Sequence, residues 1–461
     1  MKILRRTAAA LVALIIVLTL ILWQMPPELL RVGANYSAKI VCSNVFLAAR
    51  DPEEVLRVDV QAPGIALLRL MRVSVDREHG VVRAGFLGFI GDGIAIARPG
   101  KGCTVVPDGR LAALSDAPAG GVRPQLESAG LPPAAAPASL WPDGSAVETH
   151  AALDRILAND ELAGPGARAL LVVDHGRIVA ERYASGFSAD TPLLGWSMTK
   201  TVMAGLIGML VKDGKLSLDQ AGFWPARAGD GRDRIRVADL LAMSSGLKFN
   251  EAYGSVSDVT SMLYLQPDMA GFARAQPLAH GIGELWSYSS GTALILSRIM
   301  QDAAGGDGEA FAKERLFKPL GMSSATLELD EHGTLVGSSY MYATARDWAR
   351  YAQLLLQEGV WQGQQLLPSG YVAMMATPVA ASGGQYGHGQ VWLWGSDAKA
   401  PGVNPDAAFG IPADTFWLSG HDGQSIAVIR SRQLIIVRLG LTPESLGYST
   451  QALVKAVLEA T

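Results

Sequence analysis

Gly195-Trp196-Ser197-Met198-Thr199-Lys200 is the stretch on which the reading of this chain turns. An apolar run follows directly: Val202, Met203, Leu206, Ile207, Met209, Leu210 and Val211. Its three- and four-residue steps predict a largely buried helix over 197–212, with Gly214 as its stop. Ser197 then sits in the first turn, and Lys200 lies three residues on, along the same helix face. The pair suits nucleophilic catalysis, because a serine hydroxyl is a weak nucleophile that needs a base within hydrogen-bond reach. A lysine becomes that base when apolar walls and a cationic neighbour lower its pKa. Partial positive charge at the helix N-terminus favours a developing oxyanion. A lone Ser-x-x-Lys also occurs at ordinary helix starts, so the rest of the chain decides between the two.

The 461 residues are 49% hydrophobic and 18% charged, enough for a substantial core in two or three folding units. The formal net charge is -4 with no long run of one sign, which argues against a nucleic-acid partner. Seven scattered histidines form no His-Glu-x-x-His, and the two cysteines form no Cys-x-x-Cys. No metal site and no cofactor motif is therefore expected.

Lys2, Arg5 and Arg6 precede an uncharged apolar stretch from Ala8 to Trp23, and Pro26-Pro27 closes it. A basic flank before an apolar run is a secretory signal or an N-terminal anchor. No clear Ala-x-Ala site follows, so residues 1–27 are read as an uncleaved anchor in the inner membrane, with a cleaved signal as the alternative. Both place the remainder outside the cytoplasm, in the periplasm. Cys42 and Cys103 would there form one disulfide; in a reducing compartment they would be two buried thiols. Residues 28–115 read as a small β-rich unit, with a helix over 38–49 and strands over 55–60, 67–75, 81–86 and 93–97. Residues 116–144 are a linker rich in Ala, Pro and Gly, including Pro132-Pro133-Ala134-Ala135-Ala136-Pro137.

Residues 145–461 form the expected catalytic domain. A helix over 147–159 precedes strands over 169–173 and 177–182, which are joined by a turn at Asp174-His175-Gly176. Helices are predicted over 237–243, 292–304, 309–316 and 343–357. Strands over 415–419, 426–430 and 434–439 precede a closing helix over 451–458. Strands, a helical middle and strands again imply an α+β domain, an antiparallel sheet flanked by helices with a helical subdomain.

Two further pieces bear on chemistry. In Trp286-Ser287-Tyr288-Ser289-Ser290-Gly291, a tyrosine beside a lysine could shuttle protons if that cation lowers its own pKa. In Gly420-His421-Asp422-Gly423-Gln424-Ser425, at the edge of a strand, glycine lets backbone N–H groups approach a substrate, and His421 could hold a proton or bind a carboxylate.

Taken in order, Ser-x-x-Lys, Tyr-x-Ser and His-x-Gly resemble the pattern of the serine β-lactamase and penicillin-binding-protein superfamily. Leu241-Ala242-Met243-Ser244-Ser245-Gly246-Leu247, Asn250-Glu251-Ala252-Tyr253 and Tyr342-Ala343-Thr344-Ala345-Arg346-Asp347-Trp348-Ala349-Arg350 are similar to the 6-aminohexanoate-dimer hydrolase branch. The surroundings of Cys42 and Cys103 resemble the leader region of exported members. The resemblance implies a β-lactamase-like fold and an acyl-serine hydrolase of small esters or amides. It implies Ser197 as nucleophile, Lys200 as base and Tyr288 as proton relay. His421 and Gly423 match the third motif, and the N–H groups of Ser197 and Gln424 the oxyanion hole. Tyr253 matches a substrate contact, and Ser290 stands where true β-lactamases commonly have asparagine. A β-lactamase or D-Ala-D-Ala carboxypeptidase is the nearest alternative; a membrane-anchored penicillin-binding sensor without turnover is another. Neither the natural acyl and leaving groups nor the oligomeric state is legible.

Overall fold

A computed structural model describes residues 2–62, 64–111, 139–224, 230–395 and 402–461. The linker expected at 116–144 lies outside the described residues as far as 138. The chain divides into two compact units, one of residues 1–124 with 252–267, the other of residues 125–251 with 268–461.

The first unit opens with helix Lys2–Gln24. Its stretch Arg5–Gln24 is long and apolar enough to cross a membrane, and none of its described residues is buried. Helix Glu28–Leu47 follows, starting ten residues before the expected position 38. Its buried face carries Asn35, Ser37, Lys39, Ser43 and Asn44, which break the apolar periodicity. Each finds a partner inside: Asn35 Nδ2 donates to Tyr264 O at 2.8 Å, and Lys39 Nζ to Ser43 Oγ at 2.8 Å. This helix covers an antiparallel sheet of Met71–Asp76, Val81–Phe86, Ile90–Arg98 and Gly102–Val105, in that order. A Cβ at Gly93 would fall 2.2 Å from the Ala34 carbonyl carbon, so glycine lets helix and sheet meet. The Cys42–Cys103 disulfide ties the helix to the last strand.

Residues 55–60 are a correction. The sequence predicts a strand, and the structure has helical turns Pro52–Val55 and Leu56–Val60. Asp51 caps them, accepting from Glu53 N at 3.0 Å and Glu54 N at 2.9 Å, and Pro52 occupies the first helical position. This capping outweighs the β preference of the three valines. The strand expected over 67–75 is likewise shorter, a 3-10 turn Ala66–Leu70 before Met71–Asp76.

The second unit is an α+β domain on a five-stranded antiparallel sheet. The order is Thr415–Gly420, Gln424–Ile429, Leu434–Gly440, Ala167–Asp174 and Arg177–Tyr183. Leu170, Val172, Ala427, Ile429 and Ile436 point to one face, against Leu153, Leu157, Leu453 and Val457. Their neighbours Leu171, Val173, Val428 and Ile435 are fully buried, and helix Ala345–Leu356 packs on this sheet. Because both faces are covered, the strands read as continuous apolar runs. A smaller sheet, Leu193–Leu194 with Met341–Ala343 and Thr326–Leu327, leads into the helix that carries Lys200. The first helix of this unit, Ala151–Leu157, is shorter than the 147–159 expected.

Candidate active site

Ser197 is presented by a tight turn. Strand Leu193–Leu194 ends at Gly195, whose N–H donates to Met341 O at 3.0 Å. A Cβ at Gly195 would fall 2.1 Å from the Trp348 ring, so only glycine fits. Trp196 follows at φ +49°, a left-handed conformation that costs a non-glycine residue energy. Thr199 Oγ1 donates to Trp196 O at 2.6 Å and holds the turn closed. Helix Met198–Lys212 begins at once, with Ser197 as its N-cap residue, one residue later than expected.

Lys200 is 1% exposed, one turn into this helix. Its Nζ lies 3.0 Å from Ser197 Oγ, 3.1 Å from Ser290 Oγ and 2.9 Å from the Ser338 carbonyl oxygen. Burial pulls the amine down to about 8, against the opposing pull of the Glu251 carboxylate. The charged neighbour is an anion, and desolvation alone carries the shift.

Tyr288 is hydrogen-bonded to Ser197 through its side chain, and its ring centroid lies 4.8 Å from Lys200 Nζ. The ring packs among Trp392 at 5.3 Å, Tyr386 at 5.9 Å and Trp286 at 6.5 Å. This aromatic wall desolvates the phenol and pushes it far above its ordinary value, and Glu251 adds to the rise. The sequence reading made the tyrosine's role depend on a lowered pKa. The structure reverses that sign and keeps the phenol protonated.

The third motif meets the first through glycine. A Cβ at Gly420 would fall 2.2 Å from the Gly195 carbonyl oxygen, so the strand edge lies directly on the Ser197 turn. Asp422 at φ +56° and Gly423 at φ +81° reverse the chain into strand Gln424–Ile429. The Gln424 side chain braces this turn, donating to His421 O at 3.2 Å, to Asp422 O at 3.3 Å and to Gly440 O, and accepting from Gly440 N at 2.9 Å. His421 is exposed, its ring edge-on to Trp196 at 5.6 Å and its Nε2 3.4 Å from Asp422 Oδ1.

Ser290, at the first turn of helix Ser290–Ala303, carries more than the sequence suggested. Its Oγ faces Lys200 on one side and Glu251 Oε1, at 2.5 Å, on the other. Glu251 Oε2 accepts the Ser290 N–H at 2.7 Å. Thus the second unit brings Ser197, Lys200, Tyr288, Ser290 and Glu251 together, with His421 against Trp196 of the same turn and Gly423 and Gln424 following it in the chain. Tyr253 belongs to the first unit and is 36% exposed. Glu251 and the Ser338 carbonyl have no site role in the sequence reading. Glu251 stands beside Tyr253 in a quoted stretch, but no spacing signals its pairing with Ser290, and a main-chain carbonyl leaves no mark in a sequence.

Comparison with known proteins supplies the family. The Beta-lactamase family model matches residues 154–450, well over half of the chain. The 6-aminohexanoate-dimer hydrolase of Paenarthrobacter ureafaciens is 26% identical over 221 residues, 44% of this chain and 55% of that protein. The chain thus spans about half the length of that curated relative. A penicillin-binding protein homologue from Caulobacter crescentus superposes with a TM-score of 0.53 at 19% identity, over 69% of this chain and 99% of its own. A penicillin-binding protein from Bacillus halodurans does so with a TM-score of 0.51 at 16% identity, over 67% and 100%. At such identities these structures speak for the fold alone. The fold, the order of the three motifs and the family match agree: this chain belongs to the β-lactamase family, within the serine β-lactamase and penicillin-binding-protein superfamily.

Proposed function

We propose that the protein hydrolyses a small ester or amide through an acyl-Ser197 intermediate. The observation that carries this reading is the buried Lys200 amine, brought down to about 8, 3.0 Å from the Ser197 hydroxyl. Neutral Lys200 takes the hydroxyl proton as Ser197 Oγ attacks the acyl carbon. The oxyanion rests on the N–H groups of Ser197 and Gln424. Tyr288, held neutral, passes its proton to the leaving group and is refilled from the Lys200 ammonium. Water then attacks the acyl-serine along the same proton path in reverse, releasing the acid and restoring Ser197.

The named relative, a hydrolase of the 6-aminohexanoate dimer, supports an acyl substrate of modest size. Helix Arg5–Gln24 and the Cys42–Cys103 disulfide support an anchored protein facing an oxidising compartment, the periplasm. The test is turnover of p-nitrophenyl butyrate by the purified chain and by S197A. Release by the parent and none by a folded S197A is expected. Comparable release by S197A removes the assignment. Nitrocefin hydrolysis or D-alanine release in place of ester turnover would shift the reading to a β-lactamase or a carboxypeptidase. Stoichiometric labelling without turnover would indicate a sensor.

A further inference from the structure

We infer that Glu251 is a positioning residue, acting through the Ser290 hydroxyl to aim the Lys200 lone pair at Ser197. The inference rests on the acyl-serine reading and adds a residue to which that reading gives no part.

A neutral lysine amine has two N–H groups and one lone pair. Three oxygens surround Lys200 Nζ: Ser338 O at 2.9 Å, Ser290 Oγ at 3.1 Å and Ser197 Oγ at 3.0 Å. The Ser338 carbonyl can only accept, so it takes one N–H. The two hydroxyls are ambiguous, since each can donate or accept. Were Ser290 to donate its proton to Nζ, the lone pair would be consumed there and Lys200 could not act on Ser197.

Glu251 removes the ambiguity. A carboxylate only accepts, and its Oε1 lies 2.5 Å from Ser290 Oγ. The Ser290 proton is therefore committed to Glu251, and Ser290 Oγ can only accept the second N–H of Lys200. The lone pair is left facing Ser197. The Ser290 N–H on Glu251 Oε2 at 2.7 Å makes the contact two-pronged and fixes the carboxylate at the start of helix Ser290–Ala303. Once the Ser197 proton has moved, the ammonium donates to all three oxygens without any of them turning.

Glutamine is the informative replacement because it keeps the shape and reverses one role. Its carbonyl oxygen would still accept the Ser290 N–H. Its amide nitrogen would then face Ser290 Oγ as a donor, freeing the Ser290 proton to point at Nζ. Among the described residues, the titratable side chains that act on Lys200 are Tyr288 and Glu251. With the carboxylate gone, the amine should also titrate at lower pH.

The experiment compares the full-length parent, E251Q, S290A and E251Q/S290A on p-nitrophenyl butyrate across pH 6–9. E251Q should lose roughly tenfold or more in kcat with KM little changed, and its acid limb should move to lower pH. In the S290A background, which has no hydroxyl to misdirect, E251Q should cost at most about twofold more. A kcat of E251Q within about twofold of the parent overturns the inference. So do fully multiplying effects of the two substitutions, which would mean that Glu251 does not act through Ser290. Should E251Q not fold, S290A tests the same chain from its other end: kcat falls with KM kept, and a parent-like kcat overturns it. Retained turnover in S197A would instead strike the acyl-serine reading itself.

Discussion

Replacing Lys200 by methionine should abolish turnover and alter stability in a way that depends on pH with a definite sign. The folded protein holds this amine near 8, against 10.5 for an ordinary lysine. At pH 7 the parent therefore keeps a buried ammonium that is disfavoured by about 3 kcal/mol relative to the unfolded chain. Below about pH 8 both states are protonated and the penalty is constant. Between about 8 and 10.5 the unfolded chain binds the proton and the folded one does not, so parent stability rises with pH. K200M has no such group. Its lost hydrogen bonds to Ser338 O and Ser290 Oγ contribute equally at every pH. Urea unfolding of both proteins at pH 7 and pH 10 isolates the effect, because other titrations cancel in the difference. The stability of K200M relative to the parent should be greater at pH 7 than at pH 10, by about 2.5 kcal/mol. A difference independent of pH within about 1 kcal/mol would show that burial does not lower the Lys200 amine, and the base would have to be sought elsewhere.

Three other outcomes are expected. The kcat/KM for p-nitrophenyl butyrate should climb about tenfold per pH unit up to about 8 and then level off, with no fall from Tyr288, whose phenol is pushed well above its ordinary value; a profile flat between about pH 6 and 8 would exclude Lys200 as the base. G195A places a methyl 2.1 Å from the Trp348 ring and should cost about 3 kcal/mol in denaturant unfolding; parent-like stability would mean that the turn relaxes freely. Removing the disulfide with C42S/C103S opens a loop of sequence separation 61 and should destabilise the protein by about 4 kcal/mol on chain-entropy grounds, read from its thermal transition without and with reductant.

The parts of the site that were legible are those written locally. Ser197 and Lys200 sit one helical turn apart, and the apolar run behind them announces a buried helix. The strands of the main sheet run apolar because both faces are covered, and their bounds moved by one or two residues only. What was misread depends on partners far along the chain. The Tyr288 titration is set by Trp392 and Tyr386, about a hundred residues away, and by Glu251. Glu251 meets Ser290 across 39 positions that share no repeating pattern. Helix Glu28–Leu47 hid because its buried face is partly polar, with hydrogen bonds replacing apolar contact. The helical turns at Pro52–Val60 hid for the opposite reason: a valine-rich run drew the eye from the Asp51-Pro52 cap before it.

The most direct measurement is peptide mass spectrometry on protein quenched in acid during turnover of p-nitrophenyl butyrate. One butyryl group should appear on the peptide that contains Ser197, decline as substrate runs out, and be missing from S197A. A butyryl group on any other residue, or steady turnover by S197A with no adduct anywhere, would contradict the claim that the Ser197 hydroxyl is the group Lys200 activates.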